Sequence, residues 1–162
     1  MSDPTPLPSI ERIVKVPVPP ARAFDHFVAD FGRWWPRDYT WAGEKLATIT
    51  IQPRLNGRCT ETGPHGFRLD WGRVLAWEPP HLLRFTWQID PDRVPQPDPD
   101  RASVVNVRFS VVPAGAEAGW TEVALAHSGF ERHGRGGAAY RAALDGRGGW
   151  THLLALYAGY CG

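Results

Sequence analysis

His127 closes the run WTEVALAH, in which Thr121, Val123, Leu125 and His127 fall on one face of an alternating strand. An imidazole among apolar neighbours needs a hydrogen-bond partner. It can serve as a satisfied core group, as a donor to a ligand carbonyl, or as a general acid or base. Glu61, Arg58 and Arg73 also sit in strand-forming runs. They either reach into a cavity as polar contacts or lie on solvated faces, and solvation is the simpler reading. Asn106 and Arg108 are out of phase with their Val/Phe neighbours and are expected to face solvent.

Other chemistries lack their spacing. His26, Glu131 and His133 fit none of the H-x-x-x-H, H-E-x-x-H or C-x-x-C patterns, so no metal is expected. RHGRGG and GRGG lack both the strand context and the lysine of a phosphate loop. The SGF around Ser128 is not a nucleophile elbow. Cys59 and Cys161 are too few for a disulfide scaffold. No cofactor is expected, and a reaction, if the chain catalyses one, falls to His127.

The chain carries eight tryptophans, three of them in FGRWWPRDYTW, residues 31–41. On the alternation argument Trp71, Phe85, Trp87, Phe109, Leu125 and Trp150 look into one space, either as core or as walls of a ligand cavity. Burying each is worth roughly 2–3 kcal/mol in either role. Trp34, Trp35 and Trp41 are expected to shape the mouth of that cavity or a dimer surface.

The elements that hold these residues can be read in order. IERIVKV is a strand, and PPARAFDHFVADF gives two short helices parted near Asp30, the second ending before Pro36. ATITIQP and RCTET flank an Asn56-Gly57 turn. GFRLDW and GRVLAW meet at Gly72, a candidate bulge. HLLRFTWQI, SVVNVRFSVV and WTEVALAH alternate as three further strands, and DPDRVPQPDPDR between the first two is a long exposed loop. The C-terminal part is helical with a break at Gly146, Gly148 and Gly149, and Trp150, Leu153, Leu154 and Tyr157 make an apolar stripe. Sequential strands closed by a helix define an α+β fold with an antiparallel sheet. Residues 10–161 are expected to form one domain, preceded by a flexible lead over 1–9.

The segment G-x-V-x-x-W-x-P-P followed by L-x-F-x-W is occupied by Gly72, Val74, Trp77, Pro79, Pro80, Leu83, Phe85 and Trp87. With IERIVKVPVPPARAF, TEVALAHSGF and GGWTHLLALY it resembles the Hsp90-ATPase-activator-homologue branch of the START-like (SRPBCC) superfamily, over Ile10 to Tyr160. The resemblance implies a helix-grip fold: a seven-stranded antiparallel sheet around a long C-terminal helix, with a cavity between the sheet, that helix and the first two helices. The roles it implies range over hydrophobic-ligand carriage, polyketide cyclisation and binding to an Hsp90-type chaperone, and fold alone does not choose among them.

Composition narrows the partners. A net charge of +1 gives no excess positive field to hold a phosphate backbone, so no nucleic-acid partner is expected. No apolar run is long enough to span a membrane, and the N-terminus lacks a secretory pattern, so the expected address is the cytoplasm. The reading favoured is a cofactor-free binding protein for a small hydrophobic molecule. Its expected contacts are Trp35, Trp71, Phe85, Trp87, Phe109, His127, Trp150, Leu153 and Tyr157. A chaperone-activating module and a cyclase- or hydrolase-like enzyme are the alternatives, and a homodimer through the Trp-rich edge stays open.

Overall fold

The computed structural model describes residues 5–162, so the first four residues of the expected lead lie outside the described residues. Of the remainder, the Leu7 N–H donates to the Glu131 carboxylate at 3.0 Å, and Arg141 donates to the carbonyls of Pro8 and Ser9.

Strand β1 (Ile10–Val16) is followed by helices α1 (Pro20–Val28) and α2 (Phe31–Trp34). Six strands come next: β2 (Thr48–Ile51), β3 (Arg58–Thr62), β4 (Arg68–Glu78), β5 (Leu82–Trp87), β6 (Ser103–Val111) and β7 (Thr121–Ser128). Helices α3 (Gly137–Asp145) and α4 (Trp150–Cys161) complete the described chain. The strands make one antiparallel sheet in the order β1-β7-β6-β5-β4-β3-β2. Each hairpin neighbour pairs with the next, and β1 returns to cover the free edge of β7.

Pro20 opens α1, where its missing N–H removes no helical bond. Ala23, Phe24, Phe27 and Val28 then turn one face inward at helical spacing. Asn56 adopts a left-handed conformation in the β2–β3 turn, as the Asn-Gly pair predicts. β4 changes phase twice. Cys59 pairs with Gly72 but Thr60 with Asp70, which leaves Trp71 as an extra residue. On the other side Val74 pairs with Phe85 and Ala76 with Arg84, leaving Leu75 over. The shift lets Trp71, Gly72 and Val74 all be buried. A side chain at Gly72 would press on the Thr86 carbonyl of the neighbouring strand.

Leu83, Phe85 and Trp87 of β5, Val105, Val107 and Phe109 of β6, and Val123, Leu125 and His127 of β7 are buried, following the predicted alternation. Val111, in phase with the β6 set, is exposed at the strand's end. On the concave side α4 buries Trp150, Leu153, Leu154 and Tyr157, and the Tyr157 hydroxyl donates to the Ala23 carbonyl at 2.7 Å, joining α4 to α1. α3 and α4 are separated at the glycines predicted to break the helix. At Gly149 any Cβ would run into the Leu144 backbone, so only glycine lets the two helices approach this closely.

Candidate functional site

An opening of about 450 Å³ lies at one end of the sheet, where three segments distant in sequence meet. These are the Trp35–Trp41 stretch after α2, the end of β5 with the loop that follows, and the α3–α4 turn. Trp35, Trp41, Trp87, Ile89, Leu144 and Leu153 provide apolar walls, while Asp38, Tyr39, Thr40, Arg93 and Tyr140 bring polar groups.

Several of the wall residues are fixed by bonds of their own. The Trp35 backbone N–H donates to the Phe31 carbonyl, and its indole stacks on the Phe31 ring at 5.0 Å. Glu61 is fully buried on β3, not solvated. Its carboxylate accepts the backbone N–H groups of Trp41 at 3.1 Å and Ala42 at 2.8 Å, which orders the rim. The Trp41 indole N–H donates to the Arg93 carbonyl at 2.8 Å, and the Tyr39 hydroxyl donates to the Gly148 carbonyl at 2.7 Å. The predicted Pro/Asp loop is largely exposed, yet its first half folds back as a small hairpin. Asp90 N–H bonds to the Val94 carbonyl and Gln96 N–H to the Gln88 carbonyl, which places Ile89 and Arg93 at the opening. Inside, the Trp87 indole N–H donates to the Tyr140 hydroxyl oxygen at 2.7 Å, and the Arg93 guanidinium sits 4.5 Å from the centre of the Tyr140 ring.

Behind this opening runs a buried hydrogen-bonded chain. The Trp150 indole N–H can only donate, so Nδ1 of His127, 2.9 Å away, is the acceptor. A neutral His127 then carries its proton on Nε2 and donates to Ser103 Oγ at 2.7 Å. The Ser103 hydroxyl in turn donates to His133 Nε2 at 2.8 Å, which also accepts the Ser103 backbone N–H at 3.2 Å. His133 therefore holds its proton on Nδ1, which faces Asp90 Oδ1 at 3.7 Å. Burial depresses the pKa of both imidazoles. It is reinforced at His127 by the neighbouring His133 and opposed at His133 by Asp90. Both rings are neutral at physiological pH, and both nitrogens of His127 are committed.

Three of the residues read from sequence as ligand contacts, Trp35, Trp87 and Leu153, line the opening. The structure places Trp71, Phe85, Phe109, His127, Trp150 and Tyr157 deeper, in closed ring-to-ring packing. Trp71 stacks on Phe31 and meets Phe85 and Trp87 edge-on, Trp150 meets Trp87 and His127, and Phe27 bridges Phe109 and Tyr157. Trp34 is also core. Its indole N–H reaches the carbonyls of His26 and Phe27, and its ring packs on Tyr157. Tyr140 and Arg93, with Asp38 and Leu144, are among the lining residues that sequence reasoning did not single out. Tyr140 sits in an Ala-rich helix with no motif around it, and Arg93 in a loop whose fold no periodicity announces. Among the described residues no group of three or more His, Cys, Asp or Glu side chains is gathered as a metal site.

A curved seven-stranded antiparallel sheet closed by C-terminal helices, with an opening at one end, defines a START-like helix-grip domain. The chain belongs to the Activator of Hsp90 ATPase homolog 1-like family, whose model matches residues 17–157. It is 33% identical to the anthrahydroquino-γ-pyrone synthase Txn09, solved as a complex, over 95% of this chain and 97% of that one, with a TM-score of 0.64. The self-sacrificing resistance protein CalC from Micromonospora echinospora shares the fold at 24% identity, covering 95% and 94% of the two chains with a TM-score of 0.59. So does MLL2253 from Mesorhizobium loti, at 19% identity over 94% and 95% of the chains and a TM-score of 0.58. No curated protein sequence matches the chain.

Proposed function

We propose that this protein binds a small, largely apolar molecule with a flat ring system, in the cytoplasm and without a cofactor. The observation that carries the reading is the contrast between a ring-filled interior and an aromatic-walled opening of about 450 Å³ left at its end. That volume lies in the range of small-molecule sites. Trp35, Trp41 and Trp87 offer flat faces, and Asp38, Arg93 and Tyr140 supply the few polar groups that orient a ligand.

Native mass spectrometry of the purified protein, compared with its denatured mass, is the direct test. A discrete mass lost on denaturation supports the reading and identifies the ligand. Trp87→Ala is expected to weaken binding at least tenfold, the loss of one large apolar wall at about 1.4 kcal/mol or more. A folded Trp87→Ala protein that binds with unchanged affinity removes the assigned site.

A second reading, catalysis within the same opening, draws support from the 33% identity to a synthase. On it, Asp38, Arg93 and Tyr140 face the substrate and His127 acts one layer behind. Unchanged turnover by His127→Phe would exclude His127 from the reaction. The family description favours a third, stimulation of an Hsp90-type chaperone. No acceleration of that chaperone's ATP hydrolysis by the added protein dismisses it.

A further inference from the structure

Tyr140 holds a donor that the packing leaves unused. The residue is 3% exposed and lines the opening. Its oxygen accepts the Trp87 indole N–H, and among the described residues no acceptor takes its hydroxyl proton. A desolvated O–H without a partner is unfavourable, and accepting one hydrogen bond polarises a hydroxyl towards donating another. Arg93 lies beside it, over the Tyr140 ring. Only one of its guanidinium nitrogens has an acceptor among the described residues, the Pro91 carbonyl at 2.7 Å. A phenol hydroxyl and a guanidinium with spare N–H groups therefore lie close together at the edge of an aromatic slot.

Resting on the binding reading above, we infer that Tyr140 donates a hydrogen bond to an oxygen conjugated to the ligand's ring, with Arg93 as a second donor to the same oxygen. The ligand class is a planar aromatic ketone, quinone or phenolate, in preference to a plain hydrocarbon of the same shape. Burial pushes the Tyr140 pKa up to about 12, the Trp87 bond and Arg93 opposing, so the phenol keeps its proton throughout the physiological range.

The test uses two probes of equal charge and similar outline, anthraquinone-2-sulfonate and anthracene-2-sulfonate, titrated by quenching of tryptophan fluorescence. The wild-type protein is expected to prefer the quinone by about tenfold, the worth of one well-placed hydrogen bond. Tyr140→Phe is expected to erase that preference by weakening the quinone, while the hydrocarbon probe stays within about twofold. A Tyr140 that only supported the wall would change both probes alike. The carbonyl stretch of the bound quinone should also move to lower frequency in the wild type and return in Tyr140→Phe. Equal binding of both probes by the wild type overturns the inference and leaves the cavity reading standing. A preference that survives Tyr140→Phe overturns Tyr140 as the donor. If neither probe binds, the cavity reading fails and the inference with it. Should Tyr140→Phe not fold, Arg93→Met keeps the phenol and is expected to reduce the preference about threefold, and a preference unchanged there overturns the paired-donor arrangement.

Discussion

Trp71 and Trp150 are each 1% exposed, yet their indole N–H groups differ in partners. Trp150 donates to His127, whereas the Trp71 N–H has no acceptor among the described residues. Replacing Trp150 with Phe strands the His127 nitrogen, while the same change at Trp71 removes a group that was already unsatisfied. Denaturant titrations should therefore show Trp150→Phe costing about 1–3 kcal/mol more than Trp71→Phe. Equal losses would show that the indole bond contributes nothing. The histidines behind it set the acid response. In the unfolded chain each titrates near 6.5, while burial holds both lower in the fold. Above pH 6.5 neither state binds these protons, so stability is level. Below it the unfolded chain takes up protons that the folded one refuses. Stability should then fall with pH, by about 1.4 kcal/mol per unit for each histidine, until its folded pKa is reached. Urea midpoints at pH 7.5, 6.5 and 5.5 check this, and a flat profile contradicts it.

Between elements, the α3–α4 turn ties stability to the site, because Leu144 and Gly148 line the opening and Gly149 permits the turn. Gly149→Ala forces the helices apart, at a cost of about 2–3 kcal/mol. It should lower the melting temperature and ligand affinity together, and a change in neither would mean that the turn relaxes freely. The break at these glycines was legible in the sequence, as were the alternating phases of β5 to β7 and the irregularity at Gly72. All rest on periods of two or on residues with special backbone freedom. The hairpin inside the Pro/Asp loop was not legible, because bonds such as Gln96 to the Gln88 carbonyl involve backbone groups that every residue carries. Periodicity, of strand or helix, also identifies which rings point inward but not whether facing rings meet. For that reason Trp71, Phe109 and Tyr157 could be placed inside and still not be told apart from Trp87, which borders the opening. Glu61 escaped for a related reason. A carboxylate in a polar-looking strand reads as solvated until the two N–H groups it accepts are known.

At the scale of the whole molecule, the net charge is +1, and no described helix is long and apolar enough to cross a membrane. A ligand that binds only the folded state stabilises it by mass action. At one hundred times its dissociation constant the gain is about 2.7 kcal/mol, or roughly 5–10 °C in melting temperature for a chain of this size. Thermal unfolding with and without the quinone probe should show that shift for the wild type and a smaller one for Tyr140→Phe.

The bonds around the opening also bear on how fast anything passes through it. Trp41 is fastened to the Arg93 carbonyl and Tyr39 to the Gly148 carbonyl, so opposite sides of the mouth are laced together. A ligand that fills the slot would be expected to pass between these bonded sides, going in and coming out. On the binding reading proposed above, parting of these bonds is expected to hold capture below the rate of collision and to slow release.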